Sequence, residues 1–193
     1  MKNMHKAQRD PEKTRQSFID AAFELFAEKG YPGTSMNQIA VRGGGSRANL
    51  YLHFHGKAEI VLAYMYGIEK RLGAPFLELF ATQPHDAESI SRWLQTIKDL
   101  WIEKRTVFMA IEMAMTENEE VAGAWLDIMH SIADSIPELE GDKQLKQNFI
   151  ALWMGLDRNF YFLYGRQRLE NEEFVLEALT RQWLALFQPD ALS

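Results

Sequence analysis

Apolar residues Phe18, Ala21, Ala22, Leu25 and Phe26 recur at the spacing i, i+3, i+4, i+7, i+8, which lays one sticky face along a helix. Gly30 ends that helix and Pro32-Gly33 turns the chain. A second, shorter helix is predicted from Ser35, because Ser35 and Gln38 stand in capping-box relation, with Met36, Ile39 and Ala40 facing inward. Gly43, Gly44 and Gly45 then stop it, each costing about 0.8–1.0 kcal/mol in a helix relative to alanine. Ser46 is the natural N-cap of a third helix. Leu50 and Phe54, one turn apart, face the core. Ala48 and Leu52 therefore point the other way, flanked by Asn49 and Tyr51. Two short helices about a glycine turn, the second polar on its outer side, predict a helix-turn-helix.

Beyond this head the pattern stays helical. A long helix is predicted from Lys57 toward Leu72, where Gly73 and Pro75 should kink or break it. Further helices are expected over 87–104, 106–116, 119–136, 143–165 and 171–187, with breaks at 83–86, Pro137 and 140–142. Nothing reads as a strand. The predicted fold class is all-α: an N-terminal three-helix helix-turn-helix domain over 1–56 with a basic arm, then a helical domain over 57–193, to which the family resemblance given below assigns effector binding and dimerisation.

Charge sharpens this division. The chain of 193 residues has a formal net charge of −6, which by itself argues against a polyanionic partner. Residues 1–60, however, carry nine Lys/Arg against six Asp/Glu, and residues 61–193 twelve against twenty-one. Only the first segment suits DNA. Lys2, Lys6, Arg9, Lys13 and Arg15 form a basic arm, read equally well as a minor-groove contact or as a solubilising tail.

Arginine at 47 can bond guanine, asparagine at 49 can pair with adenine, and Ala48 or Leu52 can touch a thymine methyl. Thr34, Ser35, Arg42, Ser46, Tyr51, His53 and Lys57 are expected to lie at the DNA as well, with Thr34, Tyr51, His53 and Lys57 suited to phosphate.

Other chemistries find little support. There is no cysteine, so disulfides and thiolate sites are excluded. The five histidines include no helical metal pair, and no metal or cofactor is expected. No phosphate loop or nucleophile elbow occurs, so an enzyme is not expected. No apolar run would span a membrane, residues 1–9 lack the apolar centre of a signal peptide, and the expected location is the cytoplasm.

The head resembles the tetracycline-repressor-like (TetR) family of bacterial transcriptional regulators. The resemblance rests on the run from Phe18 to Tyr31, on Thr34-Ser-Met, Ile39-Ala, Ser46, Leu50-Tyr-Leu-His-Phe54 and Lys57-Ala-Glu-Ile-Val61, about a third of the chain. It implies an all-helical homodimer, operator DNA as partner, and a C-terminal domain that binds a small-molecule effector. In such proteins the positions matching Arg47, Asn49, Tyr51, His53 and Lys57 commonly lie at the DNA. Two departures stand out. The family's turn is usually alanine-glycine-apolar, so Gly43-Gly44-Gly45 should lose a small core contact and loosen the turn, and glycine usually stands where this chain has Ala48.

Two stripes on the C-terminal helices complete the expectations. Phe149, Trp153, Leu156, Phe160 and Leu163, with Leu176, Leu179, Trp183 and Leu186, have the seam spacing of a bundle made with a second chain, although packing inside one chain fits too. Trp101, Phe108, Met113, Trp125, Met129, His130, Met154, Asp157 and Tyr161 are candidates for an adaptable apolar pocket with a few polar handles. Ordinary core is the competing account of that set. The functional expectation is a repressor released from DNA by a hydrophobic or aromatic effector. A dimer governed by a protein partner is the alternative, and an enzyme or carrier built on Asp157, Glu112 and His130 is a weaker one.

Overall fold

The computed structural model describes residues 10–188, and among these there are nine α-helices and no strand. They are α1 (Pro11–Lys29), α2 (Met36–Arg42), α3 (Arg47–Tyr51), α4 (Lys57–Ala81), α5 (Ala87–Glu103), α6 (Arg105–Glu117), α7 (Glu119–Asp134), α8 (Lys143–Phe160) and α9 (Glu172–Phe187). A 3-10 turn, Pro137–Leu139, precedes α8, and a π-helical turn, Tyr161–Gly165, follows it. Lys2, Lys6 and Arg9 of the expected basic arm lie outside the described residues. Lys13 and Arg15 belong to α1 itself, which starts at Pro11 under an Asp10 cap.

The head closes on Phe18, Ala22, Ile39, Ala40, Leu50 and Phe54, each essentially buried. The Ser35–Gln38 capping box forms in both directions, and Ser46 Oγ accepts the Asn49 N–H at 3.1 Å. The glycine turn is tighter than its composition suggests. A Cβ at Gly43 would lie 2.5 Å from Phe18 Cδ1, one at Gly45 2.6 Å from Phe18 Cζ, and Gly44 adopts φ +72°. The phenyl ring of Phe18 occupies the room that larger turn residues would take, so the expectation of a loosened turn is corrected.

The long helix α4 does not stop at Gly73. It runs on to Ala81 with Pro75 inside it. Proline there removes one backbone donor, but the flanking Leu72, Phe76, Leu79 and Phe80 are buried and hold the helix in register. Trp93 Nε1 donates to the Pro75 carbonyl at 2.9 Å. Gly73 serves closeness rather than flexibility: its Cβ position lies 3.1 Å from Ile132 on α7, against which α4 packs. Conversely, the single helix predicted over 143–165 divides at Phe160 into α8 and the π turn.

In the body α5 packs on α9, α6 on α7 and α8 on α9. At the centre lies an aromatic nest in which Phe76 and Trp153 approach to 4.1 Å and Trp93 and Trp183 to 4.5 Å between centroids. The residues of the expected seam pack into this core. Phe149, Trp153, Leu156, Phe160, Leu163, Leu179, Trp183 and Leu186 are at most 8% exposed within one chain, and Leu176 is half-buried against the same core. Once α4 continues past Pro75 it brings Phe76 and Phe80 against α8, and the large side chains are used there.

Candidate nucleic-acid interface and ligand cavity

The outer side of the helix-turn-helix carries Arg47, Ala48 and Leu52, all exposed, with Leu52 at 83% and Val41 of α2 at 70%. Large aliphatic residues left in water on a two-helix unit are costly unless something covers them. Arg47 lies over the Tyr51 ring at 5.4 Å, which extends the guanidinium along the helix, and Asn49 and Tyr51 are half-buried beside it. α3 has only five residues, shorter than expected, yet Leu50 and Phe54 are both buried as the spacing predicts because the Phe54 N–H still reaches the Leu50 carbonyl at 2.9 Å. Val41 was missed because it sits at the end of α2, outside the expected reading helix.

Several expected contacts are spent inside the head. Thr34 is buried and its hydroxyl donates to the Gly30 carbonyl at 3.0 Å. Arg42 forks onto Glu28 at 2.8 and 3.0 Å and reaches Glu24 at 3.1 Å, which holds the Glu28 carboxyl below its ordinary range and raises the guanidinium pKa. Lys57 Nζ donates to the Tyr31 carbonyl at 2.6 Å and lies 4.2 Å over that ring. Burial lowers the Lys57 pKa, partly opposed by the charge of Glu117. Thr34, Arg42 and Lys57 thus each have a protein partner for their polar ends within the head. Ser35 and Ser46 act as exposed caps, and the half-buried His53 ring rests 5.8 Å from Phe18.

A cavity opens in the body between α4, α5, α6, α7 and α8. Its volume is small, about 30 Å³. Four expected residues line it: Trp101, Phe108, Trp125 and Asp157. Leu72, Phe76, Ile97, Leu100, Trp153, Leu156 and Phe160 complete it. Three of these had been assigned to the seam, and Phe76 was hidden behind the expected helix break. Trp101 and Phe108 stack with centroids 5.2 Å apart and planes 14° from parallel. Asp157 accepts from Trp101 Nε1 at 3.4 Å, and burial, aided by the negative charge of Glu112, pushes its pKa up to about 6.

The other expected pocket residues do not line this cavity. Met129 is core, Met154 is 54% exposed, and Tyr161 is buried against Phe162 and beneath Arg158. His130 is half-buried elsewhere. Met113 lines a separate cleft between head and body. Glu112 pairs with Arg158 at 3.2 Å, so no acid–base set of Asp157, Glu112 and His130 assembles around the cavity.

Comparison with known proteins agrees with the geometry of the head. Residues 18–64 match the model of bacterial regulatory proteins of the tetR family. The head is thus similar to the DNA-binding segment of TetR-family regulators. It is 41% identical over 56 residues to the helix-turn-helix transcriptional regulator TtgW of Pseudomonas putida, a match spanning 29% of this chain and 42% of that protein. It is 27% identical over 153 residues to IcaR, a negative transcriptional regulator of the biofilm operon icaADBC in Staphylococcus aureus, spanning 72% of this chain and 80% of IcaR. The first of these matches thus spans less than half of its relative. The fold is similar to that of Thermus thermophilus FadR, a TetR-family transcriptional repressor solved with lauroyl-CoA, with a TM-score of 0.59 at 18% identity over 90% of this chain and 93% of that one. Among the described residues no helix is long and apolar enough to cross a membrane.

In this chain α6 touches both the cavity and the head. Phe108 forms a cavity wall, while Met109, Ala110 and Met113 face Phe26, Ala27 and Tyr31 across the cleft. At its far end Glu117 acts on Tyr31, whose pKa is pushed up to about 12 chiefly by burial. Arg105, at the start of α6, donates to the carbonyls of Tyr164 and Gly165 in the π turn, both at 2.8 Å. Gly165 has no room for a side chain, since its Cβ would lie 2.7 Å from Met109 Sδ and 2.9 Å from Trp101. The π turn therefore clamps two cavity helices at once.

Proposed function

We propose that this protein is a homodimeric transcriptional repressor whose operator affinity falls when a small apolar or aromatic molecule enters the body cavity. The observation that carries the DNA half is the exposed face of Arg47, Ala48, Leu52 and Val41 on a capped, well-packed helix-turn-helix. Arg47 and Asn49 are the base readers in this proposal, with Tyr51, His53 and the Ser46 cap near phosphate. The head extends to residue 56 and the effector and dimerisation body begins at Lys57. Repression follows the role of IcaR as a negative regulator, and a small-molecule effector follows the FadR complex with lauroyl-CoA.

Two heads must be held at half-site spacing, roughly 34–36 Å apart. With the large seam residues turned inward, the pairing surface is the opposite face of α8 and α9. Ala151, Gly155 and Phe162 are exposed there on α8 and the π turn, and Phe174 on α9 is 68% exposed, with Ala178 beside it. Small residues let two copies approach closely while the phenyl rings supply apolar area.

The cavity as described has room for little more than one or two waters. A larger ligand parts its walls, displaces Phe108 and so moves α6 against the head. The ligand-bound arrangement then competes with the operator-bound one, as differential affinity requires. The test is selection of bound DNA sequences from a random pool with the purified protein, then repetition with apolar ligands. Enrichment of a two-fold symmetric site, lost in Arg47→Ala, is the expected result. Failure to enrich any site overturns the proposal.

A further inference from the structure

The cavity is not a uniform apolar hole: among the side chains that line it Asp157 alone is charged. Its carboxylate has one long hydrogen bond, from Trp101 Nε1 at 3.4 Å. A buried carboxylate is normally paired or supplied with several donors. The neighbouring cation, Arg158, is 56% exposed and engaged with Glu112, whose own side chain is 12% exposed. Glu112 also places a second negative charge near Asp157, which raises its pKa further, partly opposed by the Trp101 hydrogen bond and by the charge of Arg158. At neutral pH Asp157 is nevertheless mostly ionised, because its pKa of about 6 lies below 7. The remaining elements bring no counter-charge to the cavity wall: α5 contributes Trp101, α4 contributes Leu72 and Phe76, and α7 contributes Trp125.

We infer that the cavity takes an aromatic cation, an amine or quaternary ammonium carried on a flat ring system, with Asp157 as its counter-ion. This rests on the effector reading above and names the ligand class that it leaves open. The electron-rich faces of Trp101, Trp125, Trp153 and Phe108 attract the same charge that the carboxylate attracts. A neutral ligand leaves the carboxylate desolvated and unpaired, and an anion meets both Asp157 and Glu112. The arrangement therefore selects by charge through one attractive element and one repulsive one.

Three naphthalene probes of similar shape test this by calorimetric titration of the full chain near neutral pH: 2-naphthylmethyl-trimethylammonium, 2-naphthalenemethanol and 2-naphthoate. The cation is expected to bind at least about tenfold more tightly than the alcohol, with naphthoate weakest. In Asp157→Asn, a near-isosteric change, the cation-to-alcohol ratio falls to about one. Trp101→Phe, which keeps a ring but loses the N–H, retains the preference for the cation. At about pH 5 the preference of the native chain shrinks as Asp157 takes a proton. Equal or tighter binding of the alcohol or naphthoate, survival of the preference in Asp157→Asn, or no binding by any probe overturns the inference. The native chain's own charge ranking stands even if a variant misfolds. Operator binding followed in parallel separates the two readings. A bound cation that leaves operator occupancy unchanged sinks effector control and spares the ligand class. Release of DNA by the alcohol or naphthoate, with the cation inert, does the reverse.

Discussion

Asp157 shows how a single side chain can cost stability and confer selectivity. Its carboxyl pKa is raised in the folded state to about 6, from an ordinary value of 3.8. The folded protein therefore binds more protons than the unfolded chain between those values, so this group's contribution to stability is full below about pH 4 and is lost as pH rises through 6. Asp157→Asn is accordingly expected to raise the melting temperature at neutral pH by several degrees, on the order of 2 kcal/mol, with the gain fading toward pH 4. Thermal denaturation across pH checks this, and a gain that grows as pH falls contradicts it. At Gly45 the constraint is volume. Gly45→Ala should destabilise the head by roughly 1–3 kcal/mol, because the fully buried Phe18 ring has nowhere to retreat. Adding Phe18→Leu should recover part of that loss, as read by hydrogen exchange of α2 and α3.

Among the elements, α4 carries the sharpest test. Pro75 breaks its hydrogen-bond ladder without ending it, so Pro75→Ala should raise the melting temperature by about 2 °C or more through the restored backbone bond. A fall instead would mean that the Pro75 ring packs better than a methyl group. The same helix explains what could be read in advance. Helical faces, caps and the glycine turn were legible because each depends on residues within a few positions: Ser35 with Gln38, Ser46 with Asn49, Leu50 with Phe54. The inward seam and most of the cavity were not, because they depend on whether a helix crosses Gly73 and Pro75, and only packing against α7 settles that. Periodicity places Trp153 and Phe160 on one face of α8 but does not say which surface that face meets. Lys57 illustrates the same limit among the polar residues: a lysine suited to phosphate reads identically to one anchored on Tyr31.

For the whole molecule, dimerisation through the outer face of α8 and α9 makes a separable prediction. Placing glutamate on the small residues, Ala151→Glu with Ala178→Glu, should yield monomers by sedimentation. These monomers should lose roughly a hundredfold or more in operator affinity, because two linked heads bind with a high effective concentration of the second. Ligand binding should survive, since neither residue lines the cavity. A dimer that persists in the double variant places the interface elsewhere.

The uneven charge of head and body acts before any contact forms. Residues 10–60 carry six Lys/Arg against six Asp/Glu while residues 61–193 carry twelve against twenty-one, so in the proposed operator encounter the field of DNA repels the body more than the head and turns an approaching molecule. Encounters that present the body are repelled more strongly than those that present the head. The acidic body thereby raises the fraction of collisions that begin correctly oriented, an advantage that fades as added salt shortens the reach of the field.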